Sequence, residues 1–295
     1  SSQILNKIRP DFCAGFGSFV SYPGMRLAAL KKIPNFIHEQ NVVPGKATQM
    51  LDPHADFVAR TFSNTFENQK LKRVETVGLP IRRLLRQEAR ECRPVHSDKF
   101  RILVVGGSQG SHGLNQKILN TFLQFSSEEK KTLAVTHITG RSDFEWVEKS
   151  YRENAVQAEV HAFYGKMHEL YGQVDMAITR AGANTLFELA LFGVPAIAIP
   201  YPYAGGHQAE NAVYFEKRQA LLTQPENSLT PEWLFAQIRE FQKNPNLRSQ
   251  LSGNLAKLAS GDAGAKLAEW TDKLIEDHFD DRRKEKSRDF SLRSK

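Results

Sequence analysis

The turn Gly106-Gly107-Ser108-Gln109-Gly110 sits between an apolar run, Ile102-Leu103-Val104-Val105, and an amphipathic segment that reaches Leu123. Glycines there let backbone N–H groups approach a ligand, the N-terminus of the following helix favours an anion, and Ser108 adds a hydroxyl donor. This is the composition of a diphosphate cradle, and equally of a tight strand-to-helix turn with no ligand. The glycines fall at 106, 107, 110 and 113, so G-x-G-x-x-G is not matched. The next apolar strand ends in Thr139-Gly140-Arg141 with no acid for a ribose, and no Walker lysine follows the turn. Dinucleotide-dependent dehydrogenases and P-loop nucleotidases are therefore disfavoured.

A second cluster, Arg180-Ala181-Gly182-Ala183-Asn184-Thr185-Leu186-Phe187-Glu188, also follows an apolar strand. Gly182 and Ala183 permit close approach, and Thr185 falls in the first helical turn. Glu188 is buried early in that helix if Leu186 and Leu189 face the core. A buried carboxylate needs partners. The 2′,3′-diol of a ribose would supply two donors, and a helix-capping role in the dipole field is the alternative. A third cluster runs from Pro200 to Asn211, a Pro- and Gly-stiffened loop entering a helix with His207, Gln208 and Asn211 near its start. Gln208 and Asn211 share a face at i, i+3, and neutral amides suit sugar hydroxyls, which both donate and accept. His38-Glu39-Gln40-Asn41-Val42-Val43-Pro44-Gly45 ends a further apolar strand, and Arg82 opens a helix after Gly78-Leu79-Pro80-Ile81. A cation at a helix start opposes the dipole, which points to an anionic ligand or to a salt bridge.

Residues so scattered need a scaffold that gathers them. From Arg101 onward, strands at 102–105, 133–138, 156–162, 174–179, 196–200 and 220–222 alternate with helices. That grammar predicts a parallel sheet wrapped on both faces, with ligands at the carboxyl ends of the strands. The first part repeats it with strands at 12–14, 35–38 and 57–60, too few units for a full domain. A linker containing Cys92, Pro94, His96 and Ser97 separates the halves, and Leu251, Leu255, Leu258 and Leu267 fall on helical spacing near the end. The 295 residues thus divide into a partial N-terminal domain over 1–90, a C-terminal ligand domain over 99–275 and a charged, frayed tail over 276–295. The net charge of +7 permits anionic partners, but much of the excess lies between Arg282 and Lys295, and no nucleic-acid partner is expected. Two distant cysteines, Cys13 and Cys92, argue against a disulfide framework and fit a reducing cytoplasm. No apolar run approaches the ~18 residues of a membrane span. The chain opens at Ser1 in what reads as the end of a helix entering a strand, so an N-terminal portion is expected ahead of it.

The series HEQNVVPG, GLPIR, VVGGSQG, TRAGANTLFE and PYPYAGGHQAENA, in that order within Phe12 to Asn211, resembles the MurG family of peptidoglycan transferases, glycosyltransferase family 28. The resemblance implies an α/β GT-B fold: two Rossmann-like parallel-sheet domains with a cleft between them, the N-terminal one incomplete here. It also implies inverting transfer of N-acetylglucosamine from UDP-N-acetylglucosamine to the C4 hydroxyl of undecaprenyl-linked N-acetylmuramoyl-pentapeptide, lipid I to lipid II. Such work is cytoplasmic and peripheral on the inner face of the membrane, where Lys31, Lys32 and Lys46 could meet anionic headgroups. The family's donor contacts fall on Asn41, Arg82, Ser108, the backbone near Tyr164, the segment Ala183, Asn184, Thr185, Leu186, Phe187 and Glu188, and Gln208, with Asn211 on the sugar.

No cofactor or metal is implied. The sequence has no Asp-x-Asp pair for a divalent cation, so helix dipole and Arg82 are expected to meet the charge on departing UDP. The family's first Gly-rich loop, G-G-T-G-G-H, does not occur, and turnover by this chain alone is expected to suffer. The second, usually G-G-Y, appears as Gly15-Phe16-Gly17-Ser18-Phe19. The catalytic base is unassigned; His38 and Glu39 qualify on position only. Two other readings remain: a GT-B-like UDP-sugar epimerase and a non-catalytic UDP-sugar-binding protein.

Overall fold

A computed structural model describes residues 2–67, 73–91, 97–107, 110–203, 206–259 and 261–293. Ser108, Gln109, Cys92, Pro94 and His96 lie outside the described residues. The chain divides into two units, Ser1–Pro80 with Gly261–Lys295, and Ile81–Ser260.

In the second unit, α4 (Arg83–Glu91) precedes β5 (Phe100–Val105), α5 (His112–Leu123), α6 (Ser127–Lys131), β6 (Leu133–Ile138), α7 (Phe144–Glu153), β7 (Ala158–His161) and α8 (Met167–Tyr171). The chain continues through β8 (Met176–Thr179), α9 (Ala183–Phe192), β9 (Ala196–Ala198), α10 (His207–Glu216), β10 (Leu222–Thr223), a 3-10 turn at Glu226–Ser228, α11 (Pro231–Lys243) and α12 (Pro245–Leu258). All six strands are parallel, in the order β10-β9-β8-β5-β6-β7. Chain order therefore reverses direction between β5 and β8, and at such a switch point the loops diverge and leave a crevice. The strands carry apolar runs because helices cover both faces of the sheet. Ile102, Leu103 and Val104 are fully buried. Helix α5 buries Leu114, Ile118 and Phe122 at i, i+4, i+8, which gives it one apolar stripe against the sheet. Each such side chain contributes roughly 1.5–3 kcal/mol of burial.

The first unit holds α1 (Ser2–Ile8), β1 (Cys13–Gly15), α2 (Ser18–Leu30), β2 (Asn35–Glu39), α3 (Lys46–Leu51), β3 (Phe57–Arg60), β4 (Val74–Thr76) and α13 (Ala263–Arg293). Its sheet is parallel in the order β1-β2-β3-β4. Alternation sends Ile37 and Val58 to one face with Met25 and Leu51, and Phe36 and Phe57 to the other. On that second face Leu267, Trp270 and Leu274 of α13 pack at i, i+3, i+7.

This packing moves the boundaries expected from sequence. Residues 261–275, expected in the C-terminal domain, belong to the first unit because their apolar stripe covers its sheet. Helix α4, expected before a linker in the N-terminal domain, belongs to the second unit, where it packs against α8 and α9. The backbone of the expected frayed tail is helical to Arg293; no Gly or Pro interrupts residues 265–293. Strand β4 lacked a clear apolar run and was not expected.

Candidate functional site

The β5–α5 turn and the β8–α9 turn flank the switch point of the second unit. Gly110 takes φ +78°, and its N–H donates to the Gly107 carbonyl at 3.1 Å. A buried polar network holds this turn from below. Asn115 Nδ2 donates to the Thr139 carbonyl at 3.0 Å and to Asp143 Oδ2 at 2.8 Å. His137 Nε2 donates to Asn115 Oδ1 at 3.1 Å while His137 Nδ1 accepts from the Tyr151 hydroxyl at 2.9 Å. Asp143 Oδ1 lies 3.1 Å from His112 Nδ1, and the His112 ring packs on Trp146. Every member of this network has a partner, so it fixes how the start of α5 sits against the end of β6.

Burial lowers the pKa of His137 to about 3, with the Asp143 charge offsetting part of the drop. The folded state therefore keeps His137 neutral where the unfolded chain, with an ordinary value of 6.5, takes up a proton. Stability contributed by the neutral ring is complete above pH 6.5 and declines as pH falls toward 3, by up to about 1.4 kcal/mol per pH unit. Urea unfolding across that range should show a shallower pH slope for His137→Gln than for the parent chain. Equal slopes would show that His137 is protonated without unfolding.

Arg180, at the end of β8, is buried, with 6% of its side chain exposed. Its Nη1 lies 2.8 Å from Glu226 Oε2 and donates to the Ile199 carbonyl at 3.2 Å. Its Nη2 donates to Ser111 Oγ, and its guanidinium lies over the Tyr201 ring. One side chain thus ties together the N-terminus of α5, the loop after β9 and the 3-10 turn after β10. Beside it opens a cleft of about 540 Å³ lined by Gly110, Ser111, Lys117, Arg180, Tyr203 and Glu226, among others. Arg180 and Glu226 were not expected site residues. Arg180 stood in the TRAGANTLFE motif, but nothing in the sequence linked it to an acid in another element.

Glu188 is half-buried on α9, and its Oε2 accepts from the Tyr171 hydroxyl at 2.9 Å. Burial pushes its carboxyl up, while the Tyr171 hydrogen bond and the Arg82 charge push it back down. Arg82, exposed just ahead of α4, is therefore near enough to Glu188 for its charge to act on that carboxyl. Among the expected segment, the side chains of Leu186 and Phe187 are in the core, and the Leu186 N–H donates to the Gly182 carbonyl. The side chain of Ala183 is also buried. What this segment offers a ligand is the first turn of α9: its opening N–H groups, exposed Asn184 and half-buried Thr185.

Gln208 Oε1 accepts from the Ala181 N–H at 3.1 Å and the Tyr201 N–H at 2.9 Å, which leaves its Nε2 as the group for a ligand. Asn211 is fully buried and its Nδ2 donates to the Ala181 carbonyl at 3.3 Å. That bond ties the start of α10 to the β8–α9 turn. Tyr164, after β7, donates its hydroxyl to Glu169 Oε2 at 2.9 Å and packs edge-on to His161.

In the first unit, Asn41 follows β2. The neighbouring candidates for a base are both occupied. His38 is buried; its Nε2 donates to the Gly78 carbonyl at 3.0 Å and its Nδ1 accepts from Gln40 Nε2 at 3.1 Å. Glu39 is also buried; its Oε1 accepts from the Asn41 N–H at 2.9 Å and its Oε2 from the Gly45 N–H at 3.0 Å. Both residues shape the loop that carries Asn41.

A parallel sheet in Rossmann order, with a glycine turn, a helix N-terminus and a half-buried carboxylate at its switch point, defines a nucleotide-binding domain; a second parallel-sheet unit makes the class GT-B. The glycosyltransferase family 28 C-terminal domain model matches residues 101–265, and the family's N-terminal domain model matches residues 1–60. The UDP-N-acetylglucosamine--N-acetylmuramyl-(pentapeptide) pyrophosphoryl-undecaprenol N-acetylglucosamine transferase of Coxiella burnetii is 35% identical over 264 residues, 88% of this chain and 73% of the relative. The enzyme of that name from Desulfotalea psychrophila is 34% identical over 273 residues, 92% of this chain and 74% of the relative. The crystal structure of Acinetobacter baumannii MurG superposes with a TM-score of 0.68 at 31% identity, covering 88% of this chain and 71% of that one. A putative UDP-N-acetylglucosamine 2-epimerase from Listeria monocytogenes also reaches 0.68, but at 13% identity it shares the fold alone. The chain belongs to glycosyltransferase family 28. It is a glycosyltransferase.

Proposed function

We propose that the chain transfers N-acetylglucosamine from UDP-N-acetylglucosamine to the C4 hydroxyl of lipid-linked N-acetylmuramoyl-pentapeptide, with inversion at the anomeric carbon. The observation that carries this reading is the 35% identity, over 88% of the chain, to transferases named for that reaction. The second unit's geometry fits the donor half. The Glu188 carboxylate, held on one oxygen by Tyr171, takes the ribose diol. The N–H groups of the first turn of α9 meet the diphosphate, and Ser108, which lies outside the described residues, is the hydroxyl donor that the family resemblance implies. Arg82 meets the charge that develops on departing UDP, and Gln208 Nε2 donates to a sugar oxygen. The protein works in the cytoplasm, peripheral on the inner membrane face. Exposed Lys31, Lys32 and Lys46, with exposed Phe19 and Val20, suit anionic headgroups and acyl chains. No helix among the described residues is long and apolar enough to cross a membrane.

Incubation with labelled UDP-N-acetylglucosamine and the lipid acceptor should give a labelled disaccharide lipid and UDP. An epimerised sugar, or binding with no product by a form that also carries the G-G-T-G-G-H loop, would overturn the reading. On the donor side, Glu188→Ala should weaken UDP binding by roughly 1–3 kcal/mol, the scale of a hydrogen bond to a charged group. Unchanged affinity by calorimetry would remove Glu188 from the ribose.

A further inference from the structure

We infer that Tyr171 is a positioning residue for donor recognition: its hydroxyl holds one oxygen of Glu188 so that the other faces a ribose. The inference rests on the reading of Glu188 as the ribose carboxylate. Tyr171 closes α8 with 2% of its surface exposed, and its ring packs on Phe192 with centroids 5.5 Å apart. Burial and the neighbouring carboxylate hold its pKa well above the ordinary value, so it keeps its proton and donates it to Glu188 Oε2 at 2.9 Å. Among the described residues Glu188 Oε1 has no hydrogen-bond partner. A carboxylate on a flexible two-carbon stem gains little from a diol unless its plane is fixed before the ligand arrives. The buried ring of Tyr171 fixes it. Glu188 and Tyr171 are 17 residues apart on different helices, so the fold, not the local sequence, sets this geometry.

The test uses the full chain and two ligands, UDP and 2′,3′-dideoxyuridine diphosphate. Tyr171→Phe keeps the ring against Phe192 and removes only the hydroxyl. It should weaken UDP binding by roughly fivefold to tenfold, the size of one hydrogen bond, and leave the dideoxy ligand nearly unchanged. In a Glu188→Ala background the same substitution should alter UDP affinity little, because the group it orients is gone. Equal weakening of both ligands by Tyr171→Phe, or an undiminished effect in the Glu188→Ala background, would mean a structural role only. Unchanged UDP affinity in Tyr171→Phe alone would also overturn the inference. If Glu188→Ala weakens both ligands equally, the ribose reading itself fails, and that outcome is read independently of Tyr171.

Discussion

Glu226→Ala should lower the unfolding free energy by about 3–5 kcal/mol, because it removes the carboxylate from a buried arginine. Arg180 and Glu226 are 6% and 15% exposed, so water reaches neither freely. The Arg180 Nε already lacks a partner, and its Nη1 would be left with carbonyl contacts alone. A guanidinium in that position carries a desolvation cost that two carbonyls and one hydroxyl do not offset. Glu226→Gln keeps a hydrogen-bond acceptor and should cost less than Glu226→Ala. Replacing both partners, Arg180→Met with Glu226→Leu, should recover most of the loss, since no charge is then left buried. Urea denaturation of the three variants checks the ordering. A Glu226→Ala loss below about 1 kcal/mol, the range of exposed pairs, would mean that the pair is solvated and does not tie the loops together.

The pair also shows where sequence reading stops. Apolar runs such as Ile102 to Val105 and glycine turns such as Gly106 to Gly110 are local signals, and the strands, helices and switch-point loops of the second unit were legible from them. The choice of partner is not local. Arg180 stood inside a recognised motif, yet its acid lies in the turn after β10, and only the order β10-β9-β8-β5 brings the two together. His137 reads as an ordinary strand residue until Asn115 and Tyr151 close on it from two other elements. Leu267 carried a correct helical spacing but no sign of which sheet it would cover. The hydrogen bond from Asn211 to the Ala181 carbonyl was not legible for a related reason, since its partner lies in a loop 30 residues earlier. Glu188 was legible as a partly buried acid, but Tyr171, which holds it, was not.

Gly110→Ala should be the most damaging single methyl group in the candidate site. At φ +78° a side chain is already strained, by roughly 1–2 kcal/mol. The added Cβ would also stand 2.2 Å from the Thr139 carbonyl oxygen and 2.9 Å from Gly140 Cα, both backbone atoms at the end of β6. Backbone cannot rotate away as a flexible side chain can, so either the sheet end or the turn must move; forced overpacking costs typically about 1–3 kcal/mol more. The turn is the softer of the two, because Asn115 and His137 brace the end of β6. Moving it carries the N–H groups of the β5–α5 turn off the proposed diphosphate position, so UDP affinity should fall more than about tenfold, the loss of one charge-assisted hydrogen bond or more. Gly182→Ala is the matched control. It caps α9 at the other switch-point loop with φ −67°, and a Cβ there meets nothing within 4 Å. As a cap exchange it should cost about 1 kcal/mol or less, because Ala caps a helix less well than Gly. Thermal melting and UDP calorimetry on both variants decide the matter. Gly110→Ala with an unshifted melting temperature and intact UDP affinity would show that the close approach of this turn to β6 is not what forms the donor site.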